Sequence, residues 1–300
     1  MTIEEAKVEI GKILDSVDGT PQKAVKAECG DSFNGTYCAD EDCDKCTYDE
    51  WRKEQDEAEA KRLNSIDLST SEFMVGDILV PEDIDELPAL SVSATQFRAP
   101  STIDNRDYCL KPMNQGRNPW CAAYTAKMFC EVVKWMERDY PDQNVISAET
   151  IYRYAKSIDG CPNAEGTSLV AVLQCLLDKG IFDKEKCRIQ VIRKNGMSRE
   201  AVKYAIHKFG TLPSAFNCTS EWFGLNRNKT CITGNGNYRI CGGHAVLLNY
   251  YDRNGVGFCN SWGDGYGMWG HGMMTWEVFD QQFLYAACLT NVFDGLKLNV

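Results

Sequence analysis

Two short segments of the chain combine residue types that can perform nucleophilic chemistry. Cys121 follows Asn118 and Pro119, two residues that predict the start of a helix. His244 stands before a run of apolar residues, and Asn260 follows a second, shorter run. A cysteine thiolate is a nucleophile, an imidazole can act as its base, and an amide oxygen can fix the tautomer of the imidazole. The two segments therefore predict a nucleophilic site.

The elements that must position these side chains can also be predicted. A helix is expected from Cys121 to about residue 138, and the free N–H groups of its first turn would favour a negative sulfur. Residues 244–251 predict a strand, residues 252–255 a turn, and residues 256–259 the returning strand. Such a hairpin brings its two open ends together, so we expect His244 and Asn260 to meet.

These residues and their spacing resemble the papain-like cysteine peptidase family. Gln115 stands six residues before Cys121, His244 and Asn260 are sixteen residues apart, and residues 260–263 repeat the Asn-Ser-Trp-Gly signature. The resemblance implies that Cys121 is the nucleophile, His244 the general base and then acid, and Asn260 the residue that orients the imidazole. It also implies an oxyanion hole made by Gln115 and the Cys121 backbone N–H, and a Trp262 that shields the imidazole–amide hydrogen bond.

The resemblance covers residues 106–289 and implies an α+β fold with two lobes and an active site in the cleft between them. A helical lobe is expected over residues 106–209, and an antiparallel, β-barrel-like lobe over residues 210–289. The sequence around residues 165–168 is closer to bacterial and viral members than to lysosomal ones. No cofactor is implied for catalysis, and the substrate is expected to be a protein or peptide. The residues implied for substrate binding are Gly166, Thr167, Ser168, Gly243 and Trp262.

Two other functions stay open. A peptide ligase or transpeptidase on the same fold would use the same residues, with an amine in place of water as the acceptor. A zinc-binding regulatory module on a degenerate peptidase scaffold would use none of this chemistry. The complete set of Gln115, Cys121, His244 and Asn260 argues against the second alternative.

Charge divides the chain of 300 residues near residue 95. Residues 1–90 carry 24 acidic and 9 basic side chains, whereas residues 91–300 carry 19 acidic and 23 basic ones, within a net charge of −11. We predict an acidic N-terminal extension over residues 1–95 and a papain-like catalytic domain over residues 96–300. The extension is expected to be either an intramolecular pro-segment, held partly by its charge, or a solvated acidic tail.

Patterns within the extension predict three pieces. Residues 2–17 predict a short amphipathic helix, and residues 48–63 predict an exposed helix that is charged on nearly every side. Residues 77–90 are acidic, contain two prolines and predict extended backbone. As a pro-segment, the extension would cover the cleft, and self-cleavage would fall between about Asp83 and Arg98.

Fifteen cysteines leave the redox state of the chain open. No signal peptide is recognisable, which favours a cytoplasmic, reducing location; a secreted location stays open, because a chain that had lost its signal would look the same. Four cysteines cluster in the extension, and three states stay open for them: a four-thiolate zinc site, disulfides or unpaired thiols. The four are Cys29, Cys38, Cys43 and Cys46.

Other classes of partner have little support. The chain is acidic, and its basic residues are scattered without interleaved aromatics, so no nucleic-acid partner is expected. No apolar run approaches the roughly 18 residues of a membrane span, so no membrane partner is expected. Of the remaining histidines, His207 is expected at the surface or its boundary and His271 in an exposed glycine-rich loop.

Overall fold

The computed structural model describes residues 48–68, 75, 78–90, 98–109, 112–138 and 145–293, with side chains described from residue 53 onward. The predicted helix at residues 2–17 and the cysteine cluster at residues 29–46 lie outside these residues. The chain divides into two compact units, residues 1–55 and residues 56–300. The candidate site lies in the second unit.

Six α-helices are formed by the described residues. The helix predicted at residues 48–63 is confirmed, but it is not exposed on every side, because Ala60 and Leu63 are buried. The helix predicted from Cys121 buries Met128, Val132 and Val133 at the helical spacing that the sequence shows. The six are α1 (Tyr48–Asn64), α2 (Cys121–Arg138), α3 (Ala148–Ile158), α4 (Leu169–Asp178), α5 (Ser198–Phe209) and α6 (Trp276–Gln282).

One mixed sheet holds the strands of the described residues. They are β1 (Ile103–Asp104), β2 (Arg188–Arg193), β3 (Leu212–Thr219), β4 (Cys231–Ile232), β5 (Ile240–Tyr251), β6 (Gly255–Cys259), β7 (His271–Thr275) and β8 (Phe283–Thr290). Their order is β2-β8-β3-β5-β6-β7-β4, with β1 paired to β5, and β4–β7 is a parallel pair among otherwise antiparallel ones. The sheet is open, with β2 and β4 at its ends, and β2 comes from the part of the chain predicted to be helical.

The predicted hairpin is confirmed as β5 and β6. Leu247 pairs with Cys259, and the register shifts between Leu248 and Tyr250. Because the two strands run antiparallel, the chain that leaves β6 at Asn260 continues alongside β5 toward His244. The hairpin thus brings together two side chains that are far from Cys121 in sequence.

Helices and sheet form the two lobes. Helices α2, α3 and α4 pack on one another, and α2 also packs on β5 and β3. Helices α5 and α6 pack on strands of the sheet. The predicted α+β, two-lobed class is therefore confirmed. Among the described residues, no helix combines the length and the apolar character that a membrane crossing requires.

Candidate active site

Helix α2 places Cys121 at its first residue, later than the cap predicted at Asn118. The Asn118 side chain does not cap the helix; its Nδ2 donates to Gln115 O at 3.0 Å. The first helical turn instead closes with Tyr124 N donating to Trp120 O at 2.9 Å. Cys121 is 1% exposed, and the N-terminal end of a helix favours the thiolate form of a cysteine.

His244 and Asn260 meet as the hairpin predicted. His244 Nε2 lies 2.8 Å from Asn260 Oδ1. The backbone N–H of Ser261 also donates to Oδ1, at 2.8 Å, so this end of the amide is the acceptor. Nε2 therefore carries the proton of the neutral ring, and Nδ1 carries the lone pair. Nδ1 is buried and has no hydrogen-bond partner among the described residues.

Aromatic rings enclose the imidazole. Trp262 stacks on His244 with ring centroids 4.6 Å apart, and Trp222 approaches edge-on at 5.9 Å. Phe223 in turn stacks on Trp262, with ring centroids 5.2 Å apart. Burial lowers the pKa of His244 from 6.5 to about 4, against the opposing effect of the Asn260 hydrogen bond. The ring is therefore neutral near pH 7 and can accept a proton.

Ser261 orients Gln115, a contact that the sequence did not predict. Ser261 Oγ donates to Gln115 Oε1 at 2.6 Å, and Gln115 N donates to Ser261 O at 2.8 Å. With Oε1 as the acceptor, Nε2 is the donor end of the amide, and it donates to Asn118 O at 2.9 Å. Ser261 lies inside the Asn-Ser-Trp-Gly signature, but no sequence pattern links it to a residue 146 positions away.

Two of the predicted substrate-binding residues form hydrogen bonds that stabilise the turn before α4. Ser168 Oγ accepts from Ala171 N at 3.1 Å and caps helix α4. The Gly166 carbonyl accepts from Lys156 Nζ at 3.0 Å. These bonds hold the turn before α4 in shape.

The N-terminal extension contacts two more of the predicted substrate-binding residues, Thr167 and Gly243. Leu79 N donates to Thr167 O at 3.2 Å, and Tyr285 Oη donates to Leu79 O at 2.8 Å. Ile78 is buried and lies against Gly243, where an added Cβ would stand 2.4 Å from Ile78 Cγ2. Residues 78 and 79 thus contact a loop of the helical lobe and two strands of the sheet.

The following part of the extension is attached to strand β2. Leu90 N donates to Val191 O at 2.9 Å, and Arg193 Nε donates to Ile84 O at 2.8 Å. Arg193 also forms an ion pair with Asp85 at 3.3 Å, but Asp85 is 91% exposed, so the pair contributes little to stability. The extended backbone predicted for this part is only partly right, since residues 82–87 form turns and a bend.

The two remaining histidines differ from each other. His207 is exposed near the end of α5, as expected. The prediction for His271 is wrong, because this side chain is only 8% exposed at the first position of β7. Strand β7 was not predicted because glycines flank His271 and because the short run Met273–Met274 shows no alternation of apolar and polar residues.

Comparisons with known proteins concern the fold alone. No protein-family model matches the chain, and no curated protein matches it in sequence. A structure of xylellain, a cysteine protease from Xylella fastidiosa, is similar with a TM-score of 0.58 and 18% identity, over 73% of this chain and 96% of that one. A procathepsin B from Trypanosoma congolense has a TM-score of 0.55 and 13% identity, over 74% of this chain and 88% of that one. The chain therefore has the fold of papain-like cysteine proteases.

Proposed function

We propose that the protein is a cysteine peptidase that hydrolyses peptide bonds through Cys121, His244 and Asn260. The observation that carries this proposal is the His244–Asn260 hydrogen bond, which puts the proton on Nε2 and leaves the buried Nδ1 as a base. A cysteine at a helix start, on a helix packed against the histidine strand, is the nucleophile that such a base would serve. The substrate is a protein or peptide, and no cofactor takes part.

The proposed reaction is acyl transfer in two stages. His244 Nδ1 takes the proton of the Cys121 thiol, and the thiolate attacks the carbonyl carbon of the scissile bond. The Gln115 amide and the Cys121 backbone N–H stabilise the oxyanion, and the imidazolium then protonates the leaving amine. A thioester remains on Cys121. Water, deprotonated by His244, attacks the thioester and restores the thiol.

We further propose that the full-length chain is a latent precursor. The supporting contacts are those of Ile78 with Gly243 and of Leu79 with Thr167 and Tyr285. A substrate chain that needs the Thr167 carbonyl and the space over Gly243 would have to displace these two residues. Removal of the extension is therefore the activating step.

The experiment is to label the chain with an epoxide or vinyl-sulfone probe and to assay peptide hydrolysis, before and after limited proteolysis at residues 91–97. We expect one label on Cys121 and hydrolysis only after proteolysis, with neither in Cys121→Ala. A cleaved chain that takes no label would contradict the peptidase and favour a regulatory module. Products joined to an added amine, found by mass spectrometry in excess of hydrolysis, would instead indicate a ligase.

A further inference from the structure

Three metal-ligating side chains meet away from the candidate active site. Cys259 and His271 are directly paired across β6 and β7, so their side chains leave the same face of the sheet. Cys109 follows the short 3-10 turn Arg106–Tyr108. One ligand atom from each of the three side chains lies within 4.8 Å of the other two, and all three residues are buried.

The orientation of His271 leaves one ring nitrogen available for a metal. Its Nε2 lies 3.2 Å from the backbone carbonyl oxygen of Cys109, which can only accept a hydrogen bond. Nε2 therefore carries the proton, and Nδ1 keeps its lone pair. Nδ1 is buried and forms no well-aligned hydrogen bond among the described residues, and the Phe258 carbonyl lies near the ring. Metal-binding histidines commonly donate their other N–H to a backbone carbonyl in this way, which fixes the ring and the tautomer.

We propose that Cys109, Cys259 and His271 bind one Zn²⁺ ion. Zinc–sulfur bonds of about 2.3 Å and zinc–nitrogen bonds of about 2.0 Å place tetrahedral ligand atoms roughly 3.5–3.8 Å apart. The three ligand atoms lie within 4.8 Å of one another and would have to move closer together to reach that spacing. Met128 Sδ lies 3.7 Å from Cys259 Sγ, at one edge of this cluster.

Charge favours Zn²⁺ over Cu⁺, the other ion that suits thiolates and thioethers. On binding, the two cysteine thiols release two protons to solvent and become thiolates. Two thiolates and Zn²⁺ form a neutral unit, whereas two thiolates and Cu⁺ carry a net negative charge. An uncompensated charge is costly to bury, and all three side chains are buried.

The proposed ion would hold together the strands that carry Asn260. Cys259 is the residue before Asn260, and Asn260 N donates to Gly270 O at 2.8 Å, next to His271. Zinc would thus link the ends of β6 and β7 to the segment after the Arg106–Tyr108 turn. The role is structural, and its first consequence is a higher melting temperature of the zinc-bound chain.

The test must separate this site from the cysteine cluster in the extension. It uses the reduced full-length chain, with Cys121→Ala to prevent self-cleavage and with the four cluster cysteines changed to serine. We expect one zinc per chain after gel filtration, by elemental mass spectrometry, and visible absorption typical of thiolate-bound Co²⁺ when cobalt replaces zinc. We also expect the melting temperature to rise with zinc. The four cluster residues changed to serine are Cys29, Cys38, Cys43 and Cys46.

The double change Cys109→Ser/Cys259→Ser should abolish zinc binding, the cobalt spectrum and the zinc-dependent rise in melting temperature. Cys175→Ser removes another buried thiol, on α4, and should leave all three unchanged. Should the double variant fail to fold, His271→Gln supplies the same test with one ligand removed. The proposal is overturned if the starting chain holds no stoichiometric zinc or if the variants retain it. Preference for Cu⁺ in competition, or a Cys109–Cys259 disulfide in protein isolated with blocked thiols, also overturns it.

Discussion

Ile78 of the N-terminal extension lies directly against Gly243, the residue before His244. A Cβ built at Gly243 would stand 2.4 Å from Ile78 Cγ2 and 2.7 Å from Ile78 N. The second of these distances is to backbone, which no change of rotamer can relieve. The close approach therefore depends on the absence of a side chain at residue 243.

Gly243→Ala should release the extension. Overpacking of this kind costs about 1–3 kcal/mol, which corresponds to roughly 5–150-fold in the population of the open form. We expect iodoacetamide, a thiol reagent too small to need the space over Gly243, to label Cys121 faster by a factor in that range in the full-length variant. Gly265→Ala is the matched control, since an added Cβ there meets nothing within 4 Å. Equal labelling rates for Gly243→Ala, Gly265→Ala and wild type would contradict the latent precursor.

Self-cleavage should fall between residues 91 and 98, within the broader range that the sequence predicted. Leu90 is hydrogen-bonded to Val191 of β2, and a bonded backbone is a poor substrate for proteolysis. Intact-mass analysis over time should show loss of about 90 residues from wild type, while Cys121→Ala stays full length. Trimming of the mutant at the same place and rate would indicate a contaminating protease.

Asn260→Ala should fold but lose one to two orders of magnitude in kcat/KM, about 1.4–2.8 kcal/mol of barrier. The reason is that Asn260 Oδ1, 2.8 Å from His244 Nε2, selects the tautomer with a basic Nδ1 and holds the imidazole in place. Activity is measured on the cleaved enzyme, with circular dichroism melts to establish folding. An unchanged kcat/KM in a folded variant would show that Asn260 does not orient His244.

Ser261→Ala should lower kcat roughly tenfold, about 1.4 kcal/mol, with little change in KM. Without the Ser261 hydroxyl, the Gln115 amide is no longer held with Oε1 away from the proposed oxyanion. The decisive measurement is a double-mutant cycle, in which Ser261→Ala should have little further effect once Gln115 is alanine. Additive losses would mean that the serine acts by another route.

The buried His244 should make the chain less stable in acid. Above pH 6.5 the ring is neutral both folded and unfolded; between 6.5 and about 4 only the unfolded state binds the proton. The free energy of unfolding therefore falls by about 3 kcal/mol across this window. Below the window this group causes no further fall. Urea unfolding of Cys121→Ala and Cys121→Ala/His244→Gln at each pH isolates the effect. If the chain with His244 gained free energy of unfolding relative to the glutamine variant as the pH falls, the imidazole would not be neutral in the folded state.

The sequence determined the local parts of the site because each is specified by neighbouring residues. Apolar spacing after Cys121 predicted helix α2, and two apolar runs around a turn predicted the β5–β6 hairpin with His244 and Asn260 at its open end. The helix starts at Cys121 and not at the predicted cap Asn118, whose side chain donates to Gln115 O. A polar side chain near a helix start has several possible local hydrogen bonds, and the sequence does not determine which of them forms.

Contacts between distant segments were decided only by the tertiary structure. Nothing near Ser261 indicates that it orients Gln115, and nothing near Tyr285 indicates that it bonds with Leu79. His271 was predicted to be exposed, yet strand pairing places it opposite Cys259 in a buried cluster. Sequence periodicity reports which face of an element is apolar, but the partner of each polar group depends on how the elements pack. The sequence alone therefore predicted a nucleophile, a base and an orienting amide, whereas the contacts of the extension with Thr167 and Gly243 and the cysteine–histidine cluster required the fold.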